Sequence, residues 1–318
     1  MLSKSMFTLV LALACSSIAS AYPTKPVRFI VPFAPGGGSD LVARIVGQKL
    51  TEQWGQQVIV DNRAGAGTNL AAEIASVATP DGYTLYQFNV ANAIAPSVYK
   101  KLNYDPVKDF AGVTQLASSP FVLTVYPGIK AETVQELVAL ARAEPGKLSY
   151  ASSGVGGSSH LLGELFKAMS RTDILHVPYT GAAPALNDVL GGRVQLIFAV
   201  PATALRHVKA GRLRALGISS AKRSPLAADV PTIAESGLAG FEGAAWYGVV
   251  VPAKTPRDIV ARLSRDFRHV LEQPDVRERL TARGVEIVGS TPEDFAQFIR
   301  SEMLKWRRVA NTAGIRAQ

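Results

Sequence analysis

Three glycine-rich segments carry the chemistry that this sequence offers. Phe33-Ala34-Pro35-Gly36-Gly37-Gly38-Ser39-Asp40 follows a β-rich apolar run and precedes helical spacing at Leu41, Val42, Ile45, Val46 and Leu50. Asn62-Arg63-Ala64-Gly65-Ala66-Gly67-Thr68 and Ser152-Ser153-Gly154-Val155-Gly156-Gly157-Ser158-Ser159 have the same make-up. A helix start leaves backbone N–H groups without intrahelical partners and carries the positive end of the helix dipole, so it suits an anion. Glycine removes the side chains that would keep a ligand from those amides. Together the loops predict a site that holds a small anion with backbone and hydroxyl donors, Arg63 being their one cation.

Each competing chemistry lacks a residue that it requires. The single cysteine, Cys15, falls in a predicted export segment, which leaves no thiol for a disulfide, a thiolate metal site or a nucleophile. His160, His176, His207 and His269 share no ligand-type spacing, so neither a metal nor a cofactor is expected; His160 and His176 differ from the others in adjoining the glycine and hydroxyl loops. The first loop ends in Ser39-Asp40 where a P-loop has lysine and a hydroxyl residue. Leu70 and Ser159 stand where a dinucleotide fingerprint needs its third glycine. Ser219-Ser220-Ala221-Lys222 fits S-x-x-K without its companion motifs, and no G-x-S-x-G occurs. The expectation is recognition without reaction; a periplasmic hydrolase is the alternative from another class, told apart by turnover of the bound solute.

The elements that must position these loops alternate along the chain. Strands are expected at 27–32, 57–61, 83–88, 121–126, 148–150, 174–177, 194–199, 213–218 and 245–251, with helices near 39–54, 68–78, 131–144, 157–170, 181–190 and 202–210. This is an α/β pattern with mainly parallel sheets. Two further helices begin at Thr255-Pro256-Arg257-Asp258 and Thr291-Pro292-Glu293-Asp294, each reading as a threonine cap, proline at the first turn and a carboxylate two places on. Their apolar stripes are Ile259, Leu263, Phe267, Val270 and Phe295, Ile299, Met303, Trp306.

Lys4, the apolar run from Phe7 to Ala14 and Ala19-Ser20-Ala21 read as a cleaved export signal over 1–21, with the mature chain starting at Tyr22. At 318 residues and 47% hydrophobic composition, two cores can be filled. The strand–loop–helix device occurs at 27–54 and again at 148–170, as two similar lobes would give. One lobe is expected from 22–118 with 235–318 and the other from 119–234, with crossovers at Ala117-Ser118-Ser119-Pro120 and Ser219 to Pro231. The net charge of +9 is spread over separate helix faces with no interleaved aromatics. No nucleic-acid partner is expected, and the charge suits the steering of anionic solutes.

The ordered motifs resemble one family. They are Tyr22-Pro23-Thr24-Lys25-Pro26-Val27, Val31-Pro32 running into the first loop, Val60-Asp61 running into the second, Pro80-Asp81-Gly82-Tyr83-Thr84-Leu85 and His176-Val177-Pro178-Tyr179-Thr180-Gly181. Leu213-Arg214-Ala215-Leu216-Gly217-Ile218 and Asp229-Val230-Pro231-Thr232 complete the set. Over the whole mature chain they resemble the Bug-type periplasmic solute-binding receptors of tripartite tricarboxylate transporters. The resemblance implies a two-lobed periplasmic-binding-protein fold of the Venus-flytrap type, with two hinge crossovers and a ligand cleft between the lobes. It implies a monomeric receptor for a small carboxylate, a dicarboxylate or an aromatic acid, working with a tripartite tricarboxylate-type membrane permease. An orphan or sensory binder of the same fold is the alternative. Carried over, the site comprises Phe33, Gly36, Gly37, Gly38 and Asp40 with Gly65, Ala66, Gly67 and Thr68. The second lobe adds Ser152, Ser153, Gly154, Gly157, Ser158, His160 and Tyr179, and Phe33 and Tyr179 are expected as apolar walls. Two departures stand out. Ala64 and Thr68 replace a proline and a glycine of the family's second loop, Thr68 leaving an N-cap hydroxyl. Ala199 stands where many relatives have aspartate, which argues for a ligand without an amino group.

Overall fold

A computed structural model describes residues 22–312 and residue 314. The expected export segment 1–21, with Cys15, lies outside the described residues. Eleven strands among these residues form two sheets. In the first, β1 (Val27–Val31), β2 (Val58–Asn62), β3 (Thr84–Asn89), β4 (Phe110–Pro120), β10 (Ala244–Pro252) and β11 (Glu286–Ile287) take the order β11-β4-β10-β3-β1-β2. In the second, β5 (Val122–Val125), β6 (Ser149–Ser152), β7 (Leu175–Pro178), β8 (Leu196–Ala199) and β9 (Arg214–Ile218) take the order β7-β6-β8-β5-β9. β1 is interior to its sheet and buries Val27, Phe29, Ile30 and Val31 completely, which is why it reads as a continuous apolar run.

The sheets are mixed, not mainly parallel. β1 runs parallel to β2 and β3, and β6 to β7 and β8, but β10 is antiparallel to β3 and β4, and β5 to β8 and β9. The strands that cross between sheets run back against the others and impose this. Helices cover the faces: α1 (Gly38–Trp54), α2 (Asn69–Ser76), α3 (Val90–Val98), α4 (Val134–Ala143), α5 (Ser158–Ser170), α6 (Ala182–Leu190), α7 (Pro201–Lys209), α8 (Arg257–Glu272), α9 (Pro274–Thr281) and α10 (Pro292–Thr312). The stripes expected on the last two long helices are inward-facing, with Leu263, Phe267, Val270, Phe295 and Trp306 buried. The two caps differ. Thr291 Oγ1 accepts the Asp294 N–H at 3.1 Å as expected, whereas the Thr255 hydroxyl donates to Pro252 O at 2.8 Å and leaves α8 to start after Pro256.

The chain passes between sheets twice, and both passages meet at one side chain. The first takes a single residue, Phe121, between β4 and β5; residues 117–120, expected as a crossover, are strand. The second runs from Ser219 to Gly243. Ser219 is fully buried, and its hydroxyl accepts the Phe121 N–H at 2.8 Å and donates to Gly243 O. Its backbone N–H and C=O bond Phe121 O and Gly243 N. Ser219→Ala strands one buried donor and one buried acceptor, each costing about 1–3 kcal/mol. Urea unfolding should therefore show a lowered midpoint at unchanged slope, and an unchanged midpoint would remove the hydroxyl from this account of the crossings.

Candidate functional site

The C-terminal ends of β1, β2 and β6, from which the three glycine loops leave, lie with those of β3 and β8 at the ends of the sheets where the crossings are. In the first loop, Gly36 takes φ +89°, a conformation that favours glycine, and Gly37 caps α1 with extended backbone. The first helical bond is Leu41 N–H to Gly37 O at 3.0 Å, so the amides of Gly37, Gly38, Ser39 and Asp40 find no acceptor among the described residues. Gly36 and Gly37 are exposed and Phe33 is 39% exposed.

The side chain of Asp40 is turned to the protein, while its backbone amide stays without an acceptor among the described residues. Asp40 is 4% exposed, and both its carboxylate oxygens are occupied. Oδ2 accepts from Gly36 N–H at 2.9 Å, Oδ1 from Asn62 Nδ2 at 3.0 Å, and Arg44 Nε reaches both. Burial pushes its carboxyl up, but the bonds from Arg44, Gly36 and Asn62 together outweigh that and hold it below the usual carboxylate range. Asn62 Nδ2 also donates to Phe33 O at 2.9 Å, so this carboxylate ties the first loop to the end of β2.

The second loop is a short turn at Ala66–Thr68 that leads into α2. Gly65 and Gly67 have positive φ, as do Ala66 and Thr68. Thr68 occupies the cap position of α2 without capping it. It is 2% exposed, and its hydroxyl instead accepts from Asn92 Nδ2 at 3.1 Å. Asn92 in turn bonds the Tyr86 hydroxyl, and Tyr104 donates to Asn69 Oδ1 at 3.0 Å. A buried polar network thus holds the loop from beneath.

The third loop satisfies most of its own amides. Ser153 N–H goes to Ser159 Oγ, Gly154 N–H to Ser152 Oγ, Gly157 N–H to Gly154 O, and Gly156 N–H to His160 Nδ1 at 3.1 Å. Ser153, Gly154 and Gly157 therefore shape the loop, while the Ser158 hydroxyl has no partner among the described residues. Because His160 Nδ1 accepts, its proton sits on Nε2. Ser152 is fully buried, with Oγ 2.6 Å from His176 Nε2, so this pair orients the loop and offers no nucleophile to a bound molecule. Tyr179 is half-buried and donates to Asp188 Oδ2 at 2.7 Å, with its hydroxyl pushed up to about 12 by burial and that bond. Ala199 ends β8, apolar and 7% exposed.

Two tyrosines also reach the loops: Tyr247, which the sequence presents only as part of a strand, and Tyr99, which it does not single out. A methyl group on Gly38 would lie 2.7 Å from the Tyr247 hydroxyl, and the Tyr99 hydroxyl abuts Gly67. Tyr99 and Val98 also face Gly156, so the second lobe closes onto the end of α3. The signal for Tyr247 would have been its place in Ala245-Trp246-Tyr247, where a strand returns from the crossing. A cavity of about 610 Å³ beside Leu102, Tyr104, Asp105 and Met303 stands apart from the loops. Among the described residues no group of histidine, cysteine and carboxylates is placed to hold a metal.

His160 and His176 stack at 4.1 Å between centroids, and Tyr150 stacks on His176 at 4.8 Å. Burial and the neighbouring His160 lower His176 to about 4, Lys167 adding and Glu164 opposing; burial lowers His160 as well. An unfolded histidine titrates near ~6.5. Between that value and about 4 the unfolded chain holds a proton that the native state refuses, so stability is full above ~6.5 and falls as pH drops toward 4. Melting temperatures from pH 7 to 4 should trace this fall, and His176→Asn should flatten it. An equally steep fall in the variant would assign the acid sensitivity elsewhere.

Comparison with known proteins identifies the family and the fold. The chain is 34% identical over 311 residues to Protein BugT of Bordetella pertussis, covering 97% of this chain and 95% of BugT. Among solved structures, Rpa4515 of R. palustris with adipate is 36% identical at a TM-score of 0.88, covering 93% of this chain and all of that one. MatC of Rhodopseudomonas palustris with bound malate is 32% identical at a TM-score of 0.84, covering 91% and 100%. The fold is therefore the two-lobed periplasmic-binding-protein fold, and its relatives are solute-binding receptors and not enzymes. The model of the tripartite tricarboxylate transporter family receptor matches residues 42–315, and the chain belongs to that family.

Proposed function

We propose that this protein is a periplasmic receptor that captures a small carboxylate and delivers it to a tripartite tricarboxylate-type permease. The observation that carries this is the start of α1, where the amides of Gly37, Gly38, Ser39 and Asp40 lack acceptors while the one nearby carboxylate is fully bonded within the protein. A carboxylate seated there meets donors only, each charge-assisted bond contributing about 1.5–3 kcal/mol. The opposite wall is the start of α5, with Ser158 and the Nε2 proton of His160. Two structural neighbours with adipate and malate support a dicarboxylate that spans the two helix starts. On this reading the lobes are 22–118 with 235–318, and 119–234, and the protein acts as a monomer exported by way of residues 1–21. Among the described residues no helix is long and apolar enough to cross a membrane.

The cleft also argues for a ligand without an amino group. An ammonium buried without a partner is costly. Asp40 is committed to Arg44, Asn62 and Gly36, and Ala199 presents a methyl group at the end of β8. A thermal-shift panel pairs malate with aspartate and adipate with 2-aminoadipate. A ligand at a hundred times its Kd adds ~2.7 kcal/mol of stability, so malate or adipate should raise the melting temperature. Stabilisation by the amino acids alone would overturn the assignment.

Gly37→Val tests the amide cradle directly. Gly37 has ordinary extended φ and nothing within 4 Å of an added Cβ, so the variant should fold. Screening two amides from the ligand should weaken binding by about a hundredfold or more. Calorimetry showing wild-type affinity in the folded variant would exclude this loop as the site.

A further inference from the structure

The floor of the cleft lies where β3 ends and β10 begins, and two side-chain groups stand there without partners. Tyr247 on β10 faces Asn89 on β3 across the antiparallel ladder, so both side chains leave the sheet on one face. Gln87, two residues earlier on β3, shares that face and donates to Ser39 O at 2.9 Å, which identifies it as the face that α1 covers. Gly38 is the point of closest approach, since a methyl group there would lie 2.7 Å from the Tyr247 hydroxyl. Tyr247 is 6% exposed, yet its hydroxyl makes no hydrogen bond among the described residues. Asn89 is 2% exposed; its Oδ1 accepts from Ala91 N–H at 2.8 Å, and its Nδ2 has no acceptor.

Buried polar side chains are nearly always paired, and a buried tyrosine hydroxyl normally finds a partner. Here a phenol hydroxyl with no protein partner and a buried, unpaired amide donor lie on one face beside four helix-start amides that also lack acceptors. Donors gathered this way call for a group that only accepts.

We propose that Tyr247 is a ligand-binding residue, its hydroxyl donating to the carboxylate that rests on the start of α1 while Asn89 keeps the floor beneath it a donor surface. This rests on the carboxylate-receptor reading above and deepens it. Burial pushes the Tyr247 hydroxyl up to about 12, so it keeps its proton wherever the ligand is ionised. Gly38 becomes a requirement of the same site, because any side chain there would occupy the hydroxyl's place. A ligand end that carries its own donors, such as an ammonium or a primary amide, meets a floor with nothing to accept them.

Tyr247→Phe removes one oxygen and keeps the ring. The unliganded variant breaks no hydrogen bond of the free protein, so its melting temperature should be unchanged or higher. Calorimetry with adipate, malate and benzoate then measures what the hydroxyl contributes to binding. For each of these that wild type binds, the Kd of Tyr247→Phe should rise about ten- to a hundredfold, the size of one charge-assisted bond. A Kd within about twofold of wild type, in a variant that melts like wild type, overturns the role of Tyr247 and leaves the receptor reading intact. A lowered melting temperature with wild-type Kd also overturns it, by showing that the hydroxyl serves the fold. Wild type that binds none of the three overturns the carboxylate reading itself, and this assignment with it.

Discussion

The buried carboxylate of Asp40 is the constraint on which the cleft depends. It sits in the first turn of α1, where the helix dipole favours a negative charge. There it reaches back to the Gly36 amide and across to Asn62 and Arg44. Those bonds tie the loop at Gly36 while the amides of Gly37 and Gly38 stay without acceptors among the described residues, and the Arg44 guanidinium offsets the buried negative charge. A loop rich in glycine has no conformation of its own to offer, because glycine loses more freedom on ordering than any other residue. Asp40 supplies that order from inside the protein.

The second lobe uses the same device with different chemistry. His160 holds the position in α5 that Asp40 holds in α1, the third residue of the helix. Its Nδ1 accepts the amide of Gly156 four residues back, as Asp40 accepts that of Gly36. Gly37 and Gly157 are the caps, both with extended backbone and neither with a side chain to cap with. The imidazole accepts here only while it is unprotonated, which burial favours, with Glu164 opposing and Lys167 adding. One end of the cleft is therefore organised by a carboxylate held below its usual range and the other by an imidazole that burial keeps neutral.

The loops and their helices were legible in the sequence because each is local: a strand, a glycine turn and a stripe of apolar residues within about 25 residues. What stayed hidden depends on distant partners. α3 buries Val90, Ala91, Asn92, Ala93, Ile94 and Ala95 in succession and contains Pro96, so it shows no one-sided stripe and no helical signature. β4 carries Thr114, Gln115 and Ser119 into the core because Ser290 and Gly284, more than 160 residues away, supply their bonds. In the third loop the amides of Ser153, Gly154 and Gly157 bond within the loop, a pattern that the glycine and serine spacing alone does not reveal. Thr255 and Thr68 failed as caps for the same reason, each hydroxyl having found another acceptor or donor nearby.

Tyr247 joins the hinge to the site. It lies three residues after Ala244, where β10 resumes the first sheet beyond Gly243, and Gly243 is bonded through Ser219 to Phe121 in the other crossing. With both crossings fixed to one serine, the lobes have a single short axis about which to turn, and sliding one against the other would break that knot. A rotation about that axis would move the start of α5 relative to the start of α1 and displace Tyr247, close to the axis, least of all. The donor groups of the first lobe and those of the second are thereby separated by their distance from one fixed knot of hydrogen bonds.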